Sequence, residues 1–377
     1  MKPRIALLST NLASGGAETE VFHLAVELQR RGWNPAVISL LPPTAFEREL
    51  AKAGVEVHSP KMRPGVPDPL ALARLFAILV RIRPHLLHSH MFHANVLARL
   101  LRLVCPVPVV ISTIHSIAES ARGSRGVRLR DLAYRVTDPL ADAVTAVSGA
   151  VAARHVTAGA VRPGELRVIP NGIDTAVFRP DIARRANIRR DLGVESAFVW
   201  LAAGRLMWKK DYPTLLRAFA GQPGAVLLIA GEGPQEAELR ELARGLAVDV
   251  RFLGCRGDVA ALMNAADGFV LSSVVEGLPL ALLEAAASGL PSVAADAGGV
   301  RDVVDDGATG FVVPAGDAAA LAAAMSRLAG FSADARTEVS RAARSRAVAC
   351  FDLSVVAAQW EELYRELLTE AGVTPWT

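Results

Sequence analysis

A chain of 377 residues exceeds what one ordinary hydrophobic core holds, and sets the expectation of two domains of roughly 150–200 residues each. Hydrophobic residues at 51% and charged residues at 21% exclude a disordered chain, and a net charge of +3 is too small to point to nucleic acid as a partner. Cys105, Cys255 and Cys350 are an odd set with no CxxC pairing, which excludes a disulfide framework and a zinc ribbon and fits a reducing cytoplasm.

MKPRIALLST at the start is a short apolar run that turns polar, expected to be a first strand and not a signal peptide. From there apolar strand segments alternate with helical stretches, the pattern of parallel βα units. The first half offers RIALLST, NPAVISL, VEVHS, HLLHSH, PVVISTIH, AVTAVS and LRVIPNG as strands. After the first comes GAETEVFHLAVELQRRG, in which Val21, Leu24, Ala25 and Leu28 recur at helical spacing and Gly32 supplies the stop. LALARLFAILVRIRP is strongly apolar, but Arg74 and Arg81 interrupt it. No segment reaches the ~20 continuous apolar residues that a spanning helix requires.

VIPNGIDTAVFRPDIARRANIRRDLG is turn-rich and charged, and reads as a linker with a lead-in helix. The strand pattern then starts again with FVWLAAGR, AVLLIAGEG, DVRFLG, GFVLSS, LPSVAA and GFVVP, and DLSVVAAQWEELYRELLTEAG closes the chain as an amphipathic helix. The expected fold class is α/β, with two Rossmann-like parallel-sheet domains over 1–175 and 176–352 followed by the helix segment 353–377. Tandem open sheets of this kind are expected to present their strand carboxyl ends to one central cleft, where ligands of doubly wound folds bind.

Two nucleotide signatures are missing. There is no GxxxxGK[ST], and the first strand leads into NLASGGAETE and not into GxGxxG. The adjacent Gly15 and Gly16 still permit close backbone approach and expose helix N-terminal N–H groups, which suit a phosphate; a tight turn with no ligand is the plainer reading. In GRLMWKKD, Arg205 and Lys210 stand at a strand-to-helix junction and can face one anion, as a diphosphate would require, with Lys209 left to solvent.

VVEGLPLALLEAAASG carries two glutamates, Glu276 and Glu284. Glu276 is expected in the loop at the carboxyl end of GFVLSS. Pro279 suits the first turn of the helix that follows, and Gly289 ends it. N–H groups near Gly277, Leu278 and Leu280 would face whatever the loop holds. Glu284, alone among Ala and Leu, is expected to be partly buried and to need partners. A ribose diol would serve, and so would another buried donor in a purely structural role.

Between Ser116 and Arg135, five arginines (Arg122, Arg125, Arg128, Arg130 and Arg135) against Glu119 and Asp131 leave a local charge of 5 − 2 = +3. Either a solvated loop or a lip facing anions or a membrane fits that charge. His88, His90 and His93 are spaced so that two share a strand face and the third begins a helix, a poor zinc set.

In order along the chain, SGGAE, VIPNGID, GRLMWKKD, IAGEGP, FLG and EGLPLALLEA resemble the landmarks of glycosyltransferase family 4, retaining nucleotide-sugar transferases with the GT-B fold. EGLPLALLEA resembles the family's E-x7-E motif, and the match runs from about residue 5 to about residue 365. The resemblance implies that Glu284 holds the donor ribose and Glu276 the transferring sugar, while Arg205, Lys210, Gly15 and Gly16 meet the diphosphate. It implies His115 as the active-site histidine and packing of the base against backbone near Cys255 and Arg256. The last helix would cross back onto an acceptor-binding N-terminal domain, with the nucleotide-sugar in the second domain.

The implied donor is a UDP-sugar ahead of a GDP-sugar, and the acceptor a glycan, a lipid-linked species or a small molecule, in cell-surface polysaccharide or glycoconjugate synthesis. No cofactor or metal is implied, since basic residues and helix dipoles take the metal's place. A cytoplasmic location, with peripheral contact at an anionic inner membrane face, completes the expectation. Two other readings stand beside it: a sugar-nucleotide epimerase of the same fold, and a non-catalytic sugar-nucleotide-binding subunit.

Overall fold

Strands form where the apolar runs fall, and all thirteen expected segments contain one. In the computed structural model, which describes residues 3–13, 15–65, 68–117, 124–164 and 166–373, the chain divides into two units. One comprises Met1–Gly172 with Leu353–Thr377, the other Ile173–Asp352. The first junction thus lies three residues before the expected position, between Gly172 and Ile173.

The first unit holds β1 (Arg4–Ser9), β2 (Asn34–Ser39), β3 (Glu56–His58), β4 (Leu86–His90), β5 (Val109–Ile114), β6 (Ala143–Ala146) and β7 (Leu166–Val168). They make a parallel sheet in the order β3-β2-β1-β4-β5-β6-β7. Alternation along β1 explains why both faces are covered. Ile5 and Leu7 pack with Val21, Leu24 and Leu28 of helix Gly16–Arg30 and with Trp360 and Tyr364 of helix Leu353–Glu370. Ala6 and Leu8 pack on the other side with Leu75 and Leu79 of helix Pro69–Ile82 and Ala94 and Ala98 of helix Phe92–Leu101. A parallel sheet covered on both faces is the arrangement that near-continuous apolar strands favour.

The second unit holds β8 (Phe198–Ala203), β9 (Ala225–Ala230), β10 (Val250–Phe252), β11 (Gly268–Leu271), β12 (Ser292–Ala295) and β13 (Gly310–Val313), in the parallel order β10-β9-β8-β11-β12-β13. Strand order reverses beside β1 in the first sheet and beside β8 in the second, and loops following the strands at such a switch point splay apart and leave room for a ligand. In the second unit the turns after β8 and β9 are locked backbone to backbone. Gly204 N–H donates to Ala230 O and Leu206 N–H to Glu232 O, both at 2.9 Å. Gly231, at φ +147°, lies so close that an added Cβ would fall 2.0 Å from Gly204 O. The first glycine of GEGP is therefore required by this crossing of two turns.

Helix Leu353–Glu370 is fastened to the first unit through Glu361. One carboxylate oxygen accepts from Trp33 Nε1 at 2.6 Å and the other from Arg31 Nη1 at 3.0 Å. Removing that buried carboxylate takes the acceptor from the Trp33 indole bond and from one Arg31 nitrogen, while Arg31 keeps Glu27 and the Ser354 carbonyl. Glu361→Ala should therefore cost the first unit about 2–4 kcal/mol, read as an earlier denaturant midpoint of its transition, while Glu361→Gln recovers a good part of the loss.

Candidate active site

The switch point of the second sheet collects the charged residues of its two flanking loops. After β8, Gly204 leads into Arg205, which is exposed, and then into the short 3-10 turn Trp208–Lys210. Asp211 follows in a left-handed conformation at φ +46° and caps helix Tyr212–Phe219, its carboxylate accepting from Thr214 N–H. This cap fixes where the preceding lysine points. After β11, the loop 272–279 is sewn to that turn: Val274 N–H donates to Lys209 O at 2.9 Å and Ser272 Oγ to Lys210 O at 2.7 Å. Gly277 O in turn accepts from Gly299 N–H at 2.9 Å, in the loop that follows β12.

Within this frame Lys210 Nζ donates to Glu276 Oε1 at 2.6 Å, with side-chain exposures of 20% and 11%. The two residues expected to serve a diphosphate and a sugar thus neutralise each other. Tyr212, next in the sequence to Asp211, donates to Gly204 O at 3.0 Å, and burial, aided by the Glu276 charge, raises its phenol pKa.

Helix Leu280–Ala287 begins at Pro279, which sits at the N-cap, one position before the first turn where sequence placed it. The helix stops as expected, with Gly289 at φ +67°. Its side chains are buried except at Leu280, Ala281 and Glu284, which are half-buried and lie on one strip. Leu282 and Leu283 N–H both bond back to Pro279 O, and the Leu280 and Ala281 N–H groups, at the first positions of the helix, have no intrahelical acceptor and face out of its N-terminal end. Burial pushes the Glu284 carboxyl up to about 7, opposed by the charge of Lys210. Lys210 thus pairs with Glu276 and, through its charge alone, also eases the burial of Glu284.

Along β9 and β10 the turn expected to meet a base is already braced. Glu232 Oε1 accepts from Cys255 N–H at 3.1 Å, Gly254 O accepts from Gly231 N–H at 2.8 Å, and Arg256 forms a two-bond pair with Asp258. The Cys255 N–H is thus already engaged by Glu232, and the Arg256 side chain by Asp258. Nothing in IAGEGP marks Glu232 for this contact, since its partner lies in the turn after the neighbouring strand.

In the first unit the carboxyl ends of β4 and β5 bring His90 and His115 together, Nδ1 to Nε2 at 3.0 Å. His88 lies beneath, its ring centroid 4.1 Å from that of His90. The histidine cluster is therefore 88, 90 and 115. His93 stands apart on helix Phe92–Leu101, edge-on to Phe92. No group of three metal-ligating side chains forms among the described residues.

The family model for Glycosyltransferase Family 4 matches residues 14–177, and that for Glycosyl transferases group 1 matches 197–330. The D-inositol 3-phosphate glycosyltransferase of Saccharomonospora viridis is 31% identical over 91% of this chain and 90% of its own length. The chain belongs to glycosyltransferase family 4. It has the GT-B fold and is a nucleotide-sugar glycosyltransferase. A second relative, the UDP-Gal:alpha-D-GlcNAc-diphosphoundecaprenol alpha-1,3-galactosyltransferase of Escherichia coli, is 27% identical over 67% of this chain and 68% of its own. Among solved structures, Anabaena HepE in complex with UDP-glucose superposes with a TM-score of 0.85 at 25% identity, covering 96% of this chain and 99% of that one.

At the glycine pair, as at Lys210, a carboxylate of the protein itself stands beside the groups expected to meet a diphosphate. Gly15 is the N-cap of helix Gly16–Arg30, in an extended conformation that any residue could adopt, and Gly16 is its first residue. The Glu18 carboxylate folds back over Gly15, hydrogen-bonded to its own backbone and to Asn11, and its pKa is raised by burial. The helix N-terminus thus carries an internal anion where a phosphate was expected. A surface hollow of about 530 Å³ near Glu195, Gln222, Asp249 and Arg251 lies at the other edge of the second sheet, before the strands begin, and plays no part in the cluster described here.

The Glu284 shift has a measurable sign. Its folded value of about 7 lies above the ordinary 4.5, so between them the folded state binds more protons and stability falls as pH rises. The wild-type minus Glu284→Gln difference in denaturant midpoint should therefore fall between about pH 5 and 7, while the histidines that burial keeps neutral add a contribution of the opposite sign common to both proteins. Glu20, raised to about 8 by burial, contributes with the same sign as Glu284, so the difference between the two proteins is the quantity to compare.

Proposed function

We propose that this enzyme is a retaining glycosyltransferase that takes its sugar from a UDP-sugar, needs no divalent metal, and acts on an anionic or lipid-linked acceptor in cell-surface glycan synthesis. The Lys210–Glu276–Glu284 cluster at the switch point carries the reading. Departure of a nucleoside diphosphate creates two needs, an electrostatic partner for the leaving anion and a hold on the sugar as it becomes oxocarbenium-like. Arg205 and Lys210 meet the first. An ammonium has three donors, so Lys210 can keep Glu276 and still reach a phosphate oxygen. Glu276 meets the second need through the sugar hydroxyls, Glu284 takes the ribose diol, and the Leu280 strip offers N–H groups. Attack from the face that the leaving group vacates, with a phosphate oxygen taking the acceptor proton, gives retention. His115 assists by hydrogen bonding. UDP is favoured because the E. coli relative is named for UDP-Gal and HepE was solved with UDP-glucose; the diphosphoundecaprenol in the former name supports the acceptor class.

Kinetics and calorimetry with UDP-sugars test this. Glu284→Gln should raise donor KM by roughly 10–100-fold, the loss of one charge-assisted hydrogen bond. Glu276→Gln should lower kcat without weakening UDP binding, since it also releases Lys210. Transfer should survive EDTA. Equal loss of UDP affinity in both variants, or activity that EDTA abolishes and Mg²⁺ restores, would defeat the assignment.

The acceptor side rests on helix Ser124–Thr137. Arg122 lies outside the described residues. Arg128 is exposed, Arg130 stacks on Phe92 at 4.7 Å, and Arg135 donates to Gly159 O and Ala158 O. Beside Arg128, Leu129, Leu132 and Val136 are 66%, 51% and 67% exposed at helical spacing, the make-up of a helix lying in a membrane interface. Arg128→Gln with Leu129→Ser and Leu132→Ser should abolish co-sedimentation with phosphatidylglycerol vesicles and raise the KM for a lipid-linked acceptor while sparing UDP binding. Unchanged sedimentation would refute the contact.

A further inference from the structure

β4 and β5 are central strands, yet they carry a continuous set of buried polar side chains: His88, Ser89, His90, Ser112 and Thr113. A buried polar group costs stability unless satisfied, so the question is what this set holds in place. His88 uses both ring nitrogens, Nδ1 with Tyr364 OH and Nε2 with Thr113 Oγ1, each at 2.6 Å, and Thr113 Oγ1 continues to Thr145 Oγ1 at 2.7 Å. The Trp360 ring also packs on His88, the two centroids 4.5 Å apart. Held at both ends and from the side, His88 gives the His90 ring a fixed surface to lie against.

His90 then presents one nitrogen to His115. Its Nδ1 faces His115 Nε2, while its own Nε2 is buried with no hydrogen-bond partner among the described residues. Burial holds His88 and His90 well below the ordinary histidine range and lowers His115 to about 4. Each ring is therefore neutral near pH 7 and carries a single N–H. Two arrangements satisfy the His90–His115 bond. If His115 donates, the His90 proton must sit on Nε2, as a buried N–H with no acceptor. If His90 donates, Nε2 keeps only an unpaired lone pair. Orphaned buried N–H groups are the rarer and costlier of the two.

We infer that His90 is a positioning residue that donates from Nδ1 to His115 Nε2 and thereby fixes His115 as the Nδ1–H tautomer, a hydrogen-bond donor to the substrate. The assignment rests on the reading above that His115 takes part in transfer, and sharpens it. The histidine offers a proton to an oxygen, in keeping with an acceptor deprotonated by the leaving phosphate. An imidazole whose tautomer is set by a second group is a recurrent device.

Long-range ¹H–¹⁵N spectra of the ¹⁵N-histidine-labelled full-length enzyme read the tautomer directly. Wild type should show His115 protonated at Nδ1 and bare at Nε2. In His90→Asn the side-chain amide can still donate, so the spectrum should persist with kcat within about threefold. In His90→Asp a carboxylate can only accept, which moves the His115 proton to Nε2; kcat should fall by about tenfold or more with donor KM little changed. If the buried carboxylate unfolds that variant, His90→Phe, which offers neither donor nor acceptor, should show the same kcat loss. A wild-type His115 protonated at Nε2, or Asn and Asp variants alike in spectrum and rate, would overturn the assignment. His115→Phe checks the underlying reading separately. Undiminished kcat there would remove the catalytic role even with the expected spectra, whereas impaired kcat with the wrong tautomer would sink the inference alone.

Discussion

Burial on both faces is the constraint from which the rest of this molecule follows. A parallel strand with helices on either side has no solvent-facing side, so β1, β8 and β9 are apolar nearly throughout. Polar chemistry is expelled to the loops at the carboxyl ends. The places where two such loops diverge are set by strand order alone, and Lys210 and Glu276 stand on the loops that follow β8 and β11, the two strands flanking that place in the second sheet. Fold and site are thus one solution: the sheet that cannot hold charge inside gathers it at its edge.

That gathering creates a competition. A lysine expected to serve a diphosphate is held by a carboxylate at 2.6 Å, and a helix N-terminus expected to serve a phosphate is covered by Glu18. Both meet one physical difficulty, that a half-buried cation or an open helix N-terminus costs stability when no negative charge stands near it. An internal carboxylate supplies the missing negative charge and lowers the cost of the preorganised cation or dipole.

Much of this was legible in the sequence. Runs such as AVLLIA and RIALLS can only be buried strands in this context, the glycine after LLEAAAS marks the helix stop, and the two glutamates of VVEGLPLALLEA fall on the loop and helix where they are found. What stayed hidden was pairing. Nothing in GEGP announces that Glu232 will brace Cys255 across two strands, and His93 is as near in sequence to His90 as His88 nearly is, while the true partner, His115, comes from the neighbouring strand. The signal that was available lay in HLLHSH and ISTIH. Five buried polar residues in two adjacent central strands, against single ones such as Ser9, Ser39, Thr145 and Ser292 in other strands, break the apolar pattern, and such a breach marks groups held for a purpose.

The same breach explains why the last helix returns to the first unit. Glu361 ties it to Trp33 and Arg31, while one turn further on Tyr364 reaches His88 and Trp360 lies against the same ring. Those are two jobs on one amphipathic face. The apolar residues of that face close the core around β1, and its polar ones complete a buried network that would otherwise lack a donor or acceptor at His88 Nδ1. A helix supplying packing alone could be replaced by any apolar segment of similar volume. One that also fills a hydrogen-bonding position next to His90 is constrained residue by residue, because a half-satisfied buried network is less stable than an apolar core.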